Sequence, residues 1–353
     1  MDFDPARRGP LAVACHDPMP RRTVLKSLVA FGAGALLPGC TSVEPAASSA
    51  GRIDVHHHFV SPGFSAALKA LGIRTVGWSV QRSLEDMDKS GIDLAIMSLP
   101  PPAVEFRDQQ LARKVAREAN DYGAQLRRDH PGRFGLFATI PYPDTEGSLR
   151  EIEYALDTLK ADGIGLMTSY GGRYLGDKAF WPVLEELDRR KAVVYTHPTM
   201  PLCCSKIPSG VTIGAIEYAT DTTRSMASLM FEGAASRYPG IRWIFSHSGG
   251  VTPFLLSRFQ REEAIPKNKP MLPNGLMYEL RKFHYEVAQG NHPSALAALL
   301  KIAPIPQLLY GTDFPFRDGA EVNAGLAAYG FSTADLRAIN RENALRIMPR
   351  LKA

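Results

Sequence analysis

The sequence predicts a (β/α)8 barrel of the TIM type, within the α/β class. Three observations carry that expectation. Eight short apolar runs rich in β-branched residues recur along the chain, amphipathic stretches of helical period separate them, and polar residues gather at the C-terminal ends of several runs. The runs occupy residues 53–59, 94–99, 134–140, 163–170, 192–197, 241–246, 283–288 and 307–311. Between the third and fourth, Leu149, Ile152, Ala155, Leu156 and Leu159 repeat at helical spacing, which predicts a helix over 148–159. Residues 180–190 read the same way. An open doubly wound sheet would place a Gly-x-Gly-x-x-Gly turn after its first strand, and none is there. The long stretch 198–239 reads as an inserted cap or interface element.

Residues 1–50 read as an address, and residues 51–353 as a single barrel domain. Pro20-Arg21-Arg22-Thr23-Val24-Leu25-Lys26 precedes an apolar stretch that ends at Pro38-Gly39-Cys40. A basic start, a short apolar core and a small-residue end make a bacterial export signal. The paired arginines resemble a twin-arginine signal, which predicts a periplasmic location. Leu37-Pro38-Gly39-Cys40 also resembles a lipobox, in which a lipid on Cys40 would tether the chain to a membrane. The plainer alternative is cleavage near Ala50 with no lipid. The apolar stretch is too short to span a bilayer. Met19 competes with Met1 as the start, because the first eighteen residues add nothing to the signal.

Composition excludes several classes. The 353 residues are 45% hydrophobic and 22% charged, with 41 Lys+Arg against 36 Asp+Glu. That excess of +5 is dispersed, with no basic run of five, so no nucleic-acid partner is expected. Four cysteines are too few for a disulfide scaffold. Cys203 and Cys204 are adjacent, which is not zinc-knuckle spacing, and read as loop residues.

The strand ends carry the chemistry. The first run ends Asp54-Val55-His56-His57-His58, and strand alternation puts His56 and His58 on one face with His57 opposite. The fifth run ends in His197, the sixth in Ser246-His247-Ser248-Gly249-Gly250, and the eighth in Gly311-Thr312-Asp313-Phe314-Pro315. Four histidines and an aspartate at matching depth would converge inside a barrel mouth. Buried singly, each would need its own partner. Nitrogen and oxygen donors suit one divalent metal, zinc first, with manganese or iron as alternatives.

These motifs resemble the amidohydrolase superfamily, and within it the branch of metal-dependent, non-oxidative decarboxylases. The resemblance takes in Gly77-Trp78-Ser79, Arg133-Phe134-Gly135, Tyr170-Gly171-Gly172-Arg173-Tyr174, Asp221-Thr222-Thr223-Arg224 and Asn343-Ala344-Leu345-Arg346. The Tyr-Gly-Gly and Asp-Thr-Thr-Arg segments look closest to the 6-methylsalicylate type. The resemblance implies that His56, His58, His197 and Asp313 hold the metal and that His247 stays off it as the acid/base group. It also implies that Arg258 reaches into a neighbouring subunit's site, making the working unit a homodimer or higher homo-oligomer. The fourth run ends Leu166-Met167-Thr168, with no lysine to bridge two metals, so a single metal is expected. A γ-resorcylate-type enzyme carries glutamate at the position of His56, so this chain follows the His-x-His sub-branch.

The implied reaction is decarboxylation of a hydroxylated aromatic (salicylate-type) or dienoic acid, a small-molecule carboxylic acid. Asp313 would deliver a proton to the ring carbon and His247 would act as acid/base. Trp78 and Phe316 are expected to flank the substrate, and Arg258, Arg173 and Arg224 to meet its anionic groups. Two rivals use the same residues: hydrolysis of a lactone or amide by a metal-activated water, and binding of an aromatic acid without turnover.

Overall fold

A computed structural model describes residues 51–204 and 210–352; the export signal, Cys40 and the start codon fall outside them. Eight parallel strands follow the chain around a barrel: β1 (Arg52–His58), β2 (Ile92–Ser98), β3 (Phe134–Thr139), β4 (Gly163–Met167), β7 (Val193–His197), β8 (Arg242–Phe245), β9 (His284–Glu286) and β10 (Leu308–Leu309). The last strand returns to the first through Val55 N–H to Tyr310 O (3.0 Å), Asp313 N–H to His56 O (2.8 Å) and His58 N–H to Phe314 O (2.8 Å). Between β4 and β7, β5 (Ser169–Tyr170) and β6 (Arg173–Tyr174) form a two-stranded hairpin across Gly171-Gly172, both at positive φ.

The core has two parts. Ile53, Val55, Ile96, Phe137, Tyr195, Ile244 and Leu309 fill the barrel, and Ala344, Ile347 and Met348 pack with them. The segment Asn343-Ala344-Leu345-Arg346 singled out in the sequence therefore contributes to the interior plug. The larger cluster packs the outer faces of the strands against the helices. These include α1 (Pro62–Ala70), α2 (Val80–Ser90), α3 (Gln109–Asp129), α4 (Thr145–Glu153), α5 (Trp181–Arg189), α6 (Ile213–Phe231), α7 (Ala234–Arg237) and α8 (Thr252–Ala264).

Two expectations change. The helix expected over 148–159 starts earlier and passes at Tyr154 into a π-helical turn, Tyr154–Thr158. Asp144 caps its start by accepting from Gly147 N–H, a signal that lies before the apolar repeat begins. The stretch 198–239 is no insertion. It holds α6, the crossover between β7 and β8, whose Met226, Leu229 and Met230 are buried in the outer core. Its N-terminal part instead reaches the barrel mouth, where Gly214 and Tyr218 line a cavity.

Candidate active site

The C-terminal ends of β1, β7, β8 and β10 bring His56, His58, His197, His247 and Asp313 together, each buried. The alternation rule explains only part of this. Val55 points into the barrel with Tyr195, so its neighbour His56 should point out. The pairing register of β1 against β2 shifts between Asp54 and His57, and this irregularity turns His56 inward directly after Val55. His57 faces the other way, bonded to Asp54 (3.1 Å) and Ser83 (3.0 Å) and stacked on Phe314.

The two oxygens of Asp313 meet different partners. Oδ1 lies 3.1 Å from His56 Nε2, 3.1 Å from His58 Nε2 and 3.9 Å from His197 Nε2. Oδ2 lies 3.3 Å from His247 Nε2 and also accepts from Gln289 Nε2. Donor atoms of His56, His197, His247 and Asp313 all lie within 4.8 Å of one another. His58 joins them through its 3.2 Å approach to His56 Nε2.

Hydrogen bonds behind the rings define which nitrogens are free. His56 Nδ1 faces Glu286 Oε1 at 2.9 Å, His58 Nδ1 the Ser98 carbonyl at 3.3 Å, and His197 Nδ1 the Pro198 carbonyl at 2.8 Å. Each of those partners only accepts, so each Nδ1 carries a hydrogen and Nε2 is the atom left facing the cluster. Three ring nitrogens and a carboxylate oxygen thus crowd one point, and buried His197 Nε2 has no hydrogen-bond partner. Nδ1 held by an acceptor with Nε2 turned to a shared point is the usual support given to metal-binding imidazoles. The residues fit a divalent metal.

Charge follows the same division. Burial holds His58 low and takes His197 down to about 3, so both rings are neutral at ordinary pH. Burial also opposes charge on His56, but Asp313 and Glu286 on either side raise it to about 10. For Asp313, burial favours the neutral acid, yet His56 and the hydrogen bonds from the surrounding imidazoles hold it well below the usual carboxylate range. Asp313 is therefore an anion at rest. Since a carboxylate only accepts, the 3.3 Å contact from Oδ2 places a proton on His247 Nε2.

Backbone strain is concentrated here. His247, Ser248, Gln289 and Asp313 all adopt positive φ, between 52° and 66°, where non-glycine residues rarely sit. Glu286 offsets part of that cost: it accepts from His247 N–H at 2.5 Å and from Ala288 N–H at 2.6 Å as well as facing His56. Gly250 has a different reason, since a Cβ there would lie 1.9 Å from the Ala219 carbonyl of α6.

A cavity of about 490 Å³ opens onto this cluster and reaches His197 and Asp313. Of the expected substrate contacts, Phe316 lines it, 50% exposed, with its ring 5.6 Å from that of His58. Trp78 does not: its indole donates to Ser83 and packs near Phe59, so it supports His57 from behind. Arg173 lies exposed on the β5–β6 hairpin and Arg224 is bound to Glu217 and Cys204 on α6, both outside the lining. Arg258 is exposed on α8 and does not line this chain's own cavity. His284, at the start of β9, is buried in the barrel wall near Arg242 and Arg346.

Sequence reasoning missed Glu286, Gln289, Tyr218 and Arg74. Glu286 carried a usable signal, an acid at the end of the seventh run at the same depth as the histidines. Gln289, Tyr218 and Arg74 come from loops and a helix start, where no period points inward.

Comparison with known proteins places these features. Residues 53–350 match the amidohydrolase family. Decarboxylase yanB of Aspergillus niger is 35% identical over 324 residues, covering 85% of this chain and 88% of the relative. The 6-methylsalicylic acid decarboxylase of Penicillium expansum is 34% identical, covering 85% and 97%. The crystal structure of 2,6-dihydroxybenzoate decarboxylase from Rhizobium superposes with a TM-score of 0.75 at 25% identity, covering 86% of this chain and 99% of that one.

Proposed function

We infer that this chain, which belongs to the amidohydrolase family, is a metal-dependent, non-oxidative decarboxylase of a hydroxylated aromatic carboxylic acid. One observation carries the reading. Three buried imidazoles with their Nδ1 hydrogens committed converge on Asp313 Oδ1, while a fourth, His247, donates its Nε2 hydrogen to Oδ2. We assign His56, His58, His197 and Asp313 as ligands of one cation, zinc by the chemistry of the donors, with manganese as the alternative. When bound there, such a cation would supply a fixed positive charge that stabilises a substrate carboxylate and phenolate.

The residues then divide the proton chemistry. Direct loss of carbon dioxide from an aryl acid leaves an aryl carbanion, so the ring carbon must take a proton first. His247 presents its Nε2 hydrogen to Asp313 Oδ2, so once its Nδ1 takes up a proton from solvent, Asp313 can relay the Nε2 proton to the ring carbon without leaving an imidazolate. Protonation breaks the aromatic ring's conjugation. The carbon–carbon bond to the carboxylate then breaks, its electron pair returns to the ring, and carbon dioxide leaves. Buried surroundings strengthen each of these charge contacts by excluding water.

The working unit is a homodimer or higher homo-oligomer in which Arg258 serves the neighbouring site, an assignment supported by its exposed place on α8 without an ion-pair partner among the described residues. The leader directs export to the periplasm, with Cys40 as the lipid anchor. Running turnover in heavy water tests the reaction class. Decarboxylation puts one deuterium on the ring carbon that carried the carboxylate and releases carbon dioxide. Hydrolysis of a lactone or amide by the same residues would give neither.

A further inference from the structure

The cavity is built for more than a single-ring acid. At about 490 Å³ it falls in the range of pockets that hold drug-sized ligands, well beyond a ring with a carboxylate and one methyl. One side of the barrel contributes His197, Tyr218, Gln289 and Asp313. The other side, contributed by the first two strand ends and the segment after α1, is mostly apolar: Val60, Phe64, Leu68, Val76, Pro100 and Pro101, beside exposed Arg74 and Thr75. Apolar surface continues outward at Leu71 (52% exposed) and Ile73 (42% exposed), next to lining residues Arg74 and Thr75. Two guanidinium-bearing residues, Arg74 and Arg317, also line the cavity.

We propose that the substrate is a hydroxylated aromatic acid bearing an alkyl chain of several carbons, whose chain lies along the Val60–Phe64–Leu68–Val76 wall. This rests on the decarboxylase reading and names its substrate class. The reacting carboxylate belongs at the polar end, beside Asp313. A methyl group would leave most of the cavity unfilled and half-buried Val60, Val76 and Pro101 in contact with water, whereas an extended chain covers them. Arg74 and Arg317 attract the anionic head of such an amphiphile during entry.

A series of 2-hydroxy-6-alkylbenzoic acids, from methyl through propyl and pentyl to heptyl, tests this on the full metal-loaded protein. The kcat/KM for carbon dioxide release is expected to rise roughly three- to four-fold per methylene until the wall is covered, then level off. Calorimetric binding of the matching 3-alkylphenols, which cannot turn over, should strengthen by the same factor per methylene. Val76→Asp, at a half-buried loop position, should flatten both slopes. A wild-type rate that is flat or falling beyond methyl would overturn the alkyl pocket and leave the decarboxylase reading standing. Graded phenol binding with no carbon dioxide from any acid would sustain the pocket and sink the decarboxylase reading.

Discussion

At Asp313 a single carboxylate serves two neighbourhoods, Oδ1 facing the Nε2 atoms of His56, His58 and His197 and Oδ2 facing His247 and Gln289. Its charge is held by His56, and His56 in turn is raised to about 10 by Asp313 and Glu286 against the effect of burial. Without a cation, His56 therefore carries a proton at pH 8. A metal ligand must be neutral, so cation uptake has to expel that proton. Metal-stripped protein mixed with zinc at pH 8 in weak buffer should release about one proton per cation bound, read with an indicator dye. Affinity should climb with pH until His56 has lost its proton near 10. Uptake without proton release would contradict the assignment of His56 as a ligand.

Among the elements, one buried side chain of α6 joins the ends of β4 and β7 to the β5–β6 hairpin. Asp221 accepts from Thr168 Oγ1, Tyr174 O–H (2.8 Å) and Thr199 N–H (3.2 Å), while burial pushes its pKa up. Asp221→Ala strands three donors at once. Urea unfolding of the metal-loaded protein should show a loss of about 2–3 kcal/mol, and a loss near zero would mean that water replaces the carboxylate. This is also where sequence reading stops. The eight strands were legible because β-branched runs alternate with helical periods, and the clustering of His56, His58, His197, His247 and Asp313 because they end those runs. The register shift at Asp54–His57, which turns His56 inward, was not legible, since it depends on pairing with β2 rather than on β1 alone. That Trp78 and Arg173 lie outside the cavity lining was not legible either: an aromatic or cationic residue outside the barrel strands has no period to say which way it faces. The span 198–239 looked inserted because α6 begins above the barrel and ends in its outer wall.

For the whole molecule, the barrel separates stability from chemistry. Ala344, Ile347 and Met348 pack with the interior strand residues, while the reactive groups gather at the C-terminal strand ends. Assembly adds a third level. If Arg258 acts across the subunit boundary, Arg258→Ala and His247→Ala are each nearly inactive alone but complement when mixed. Reassembled from equal parts, they should recover roughly a quarter of the wild-type rate, since half of the dimers are mixed and each restores one site. No recovery would place Arg258 in its own chain's chemistry or outside it.

The most direct check on the central claim pairs metal content with carbon dioxide release. Wild-type protein should carry one divalent metal per chain and release carbon dioxide from a salicylate-type acid, and stripping the metal should abolish release until it is restored. His247→Ala should keep its metal yet lose about 10²–10⁴-fold in rate, as expected when a proton donor is removed. Wild-type protein without bound metal, or release that persists after stripping, would contradict the account.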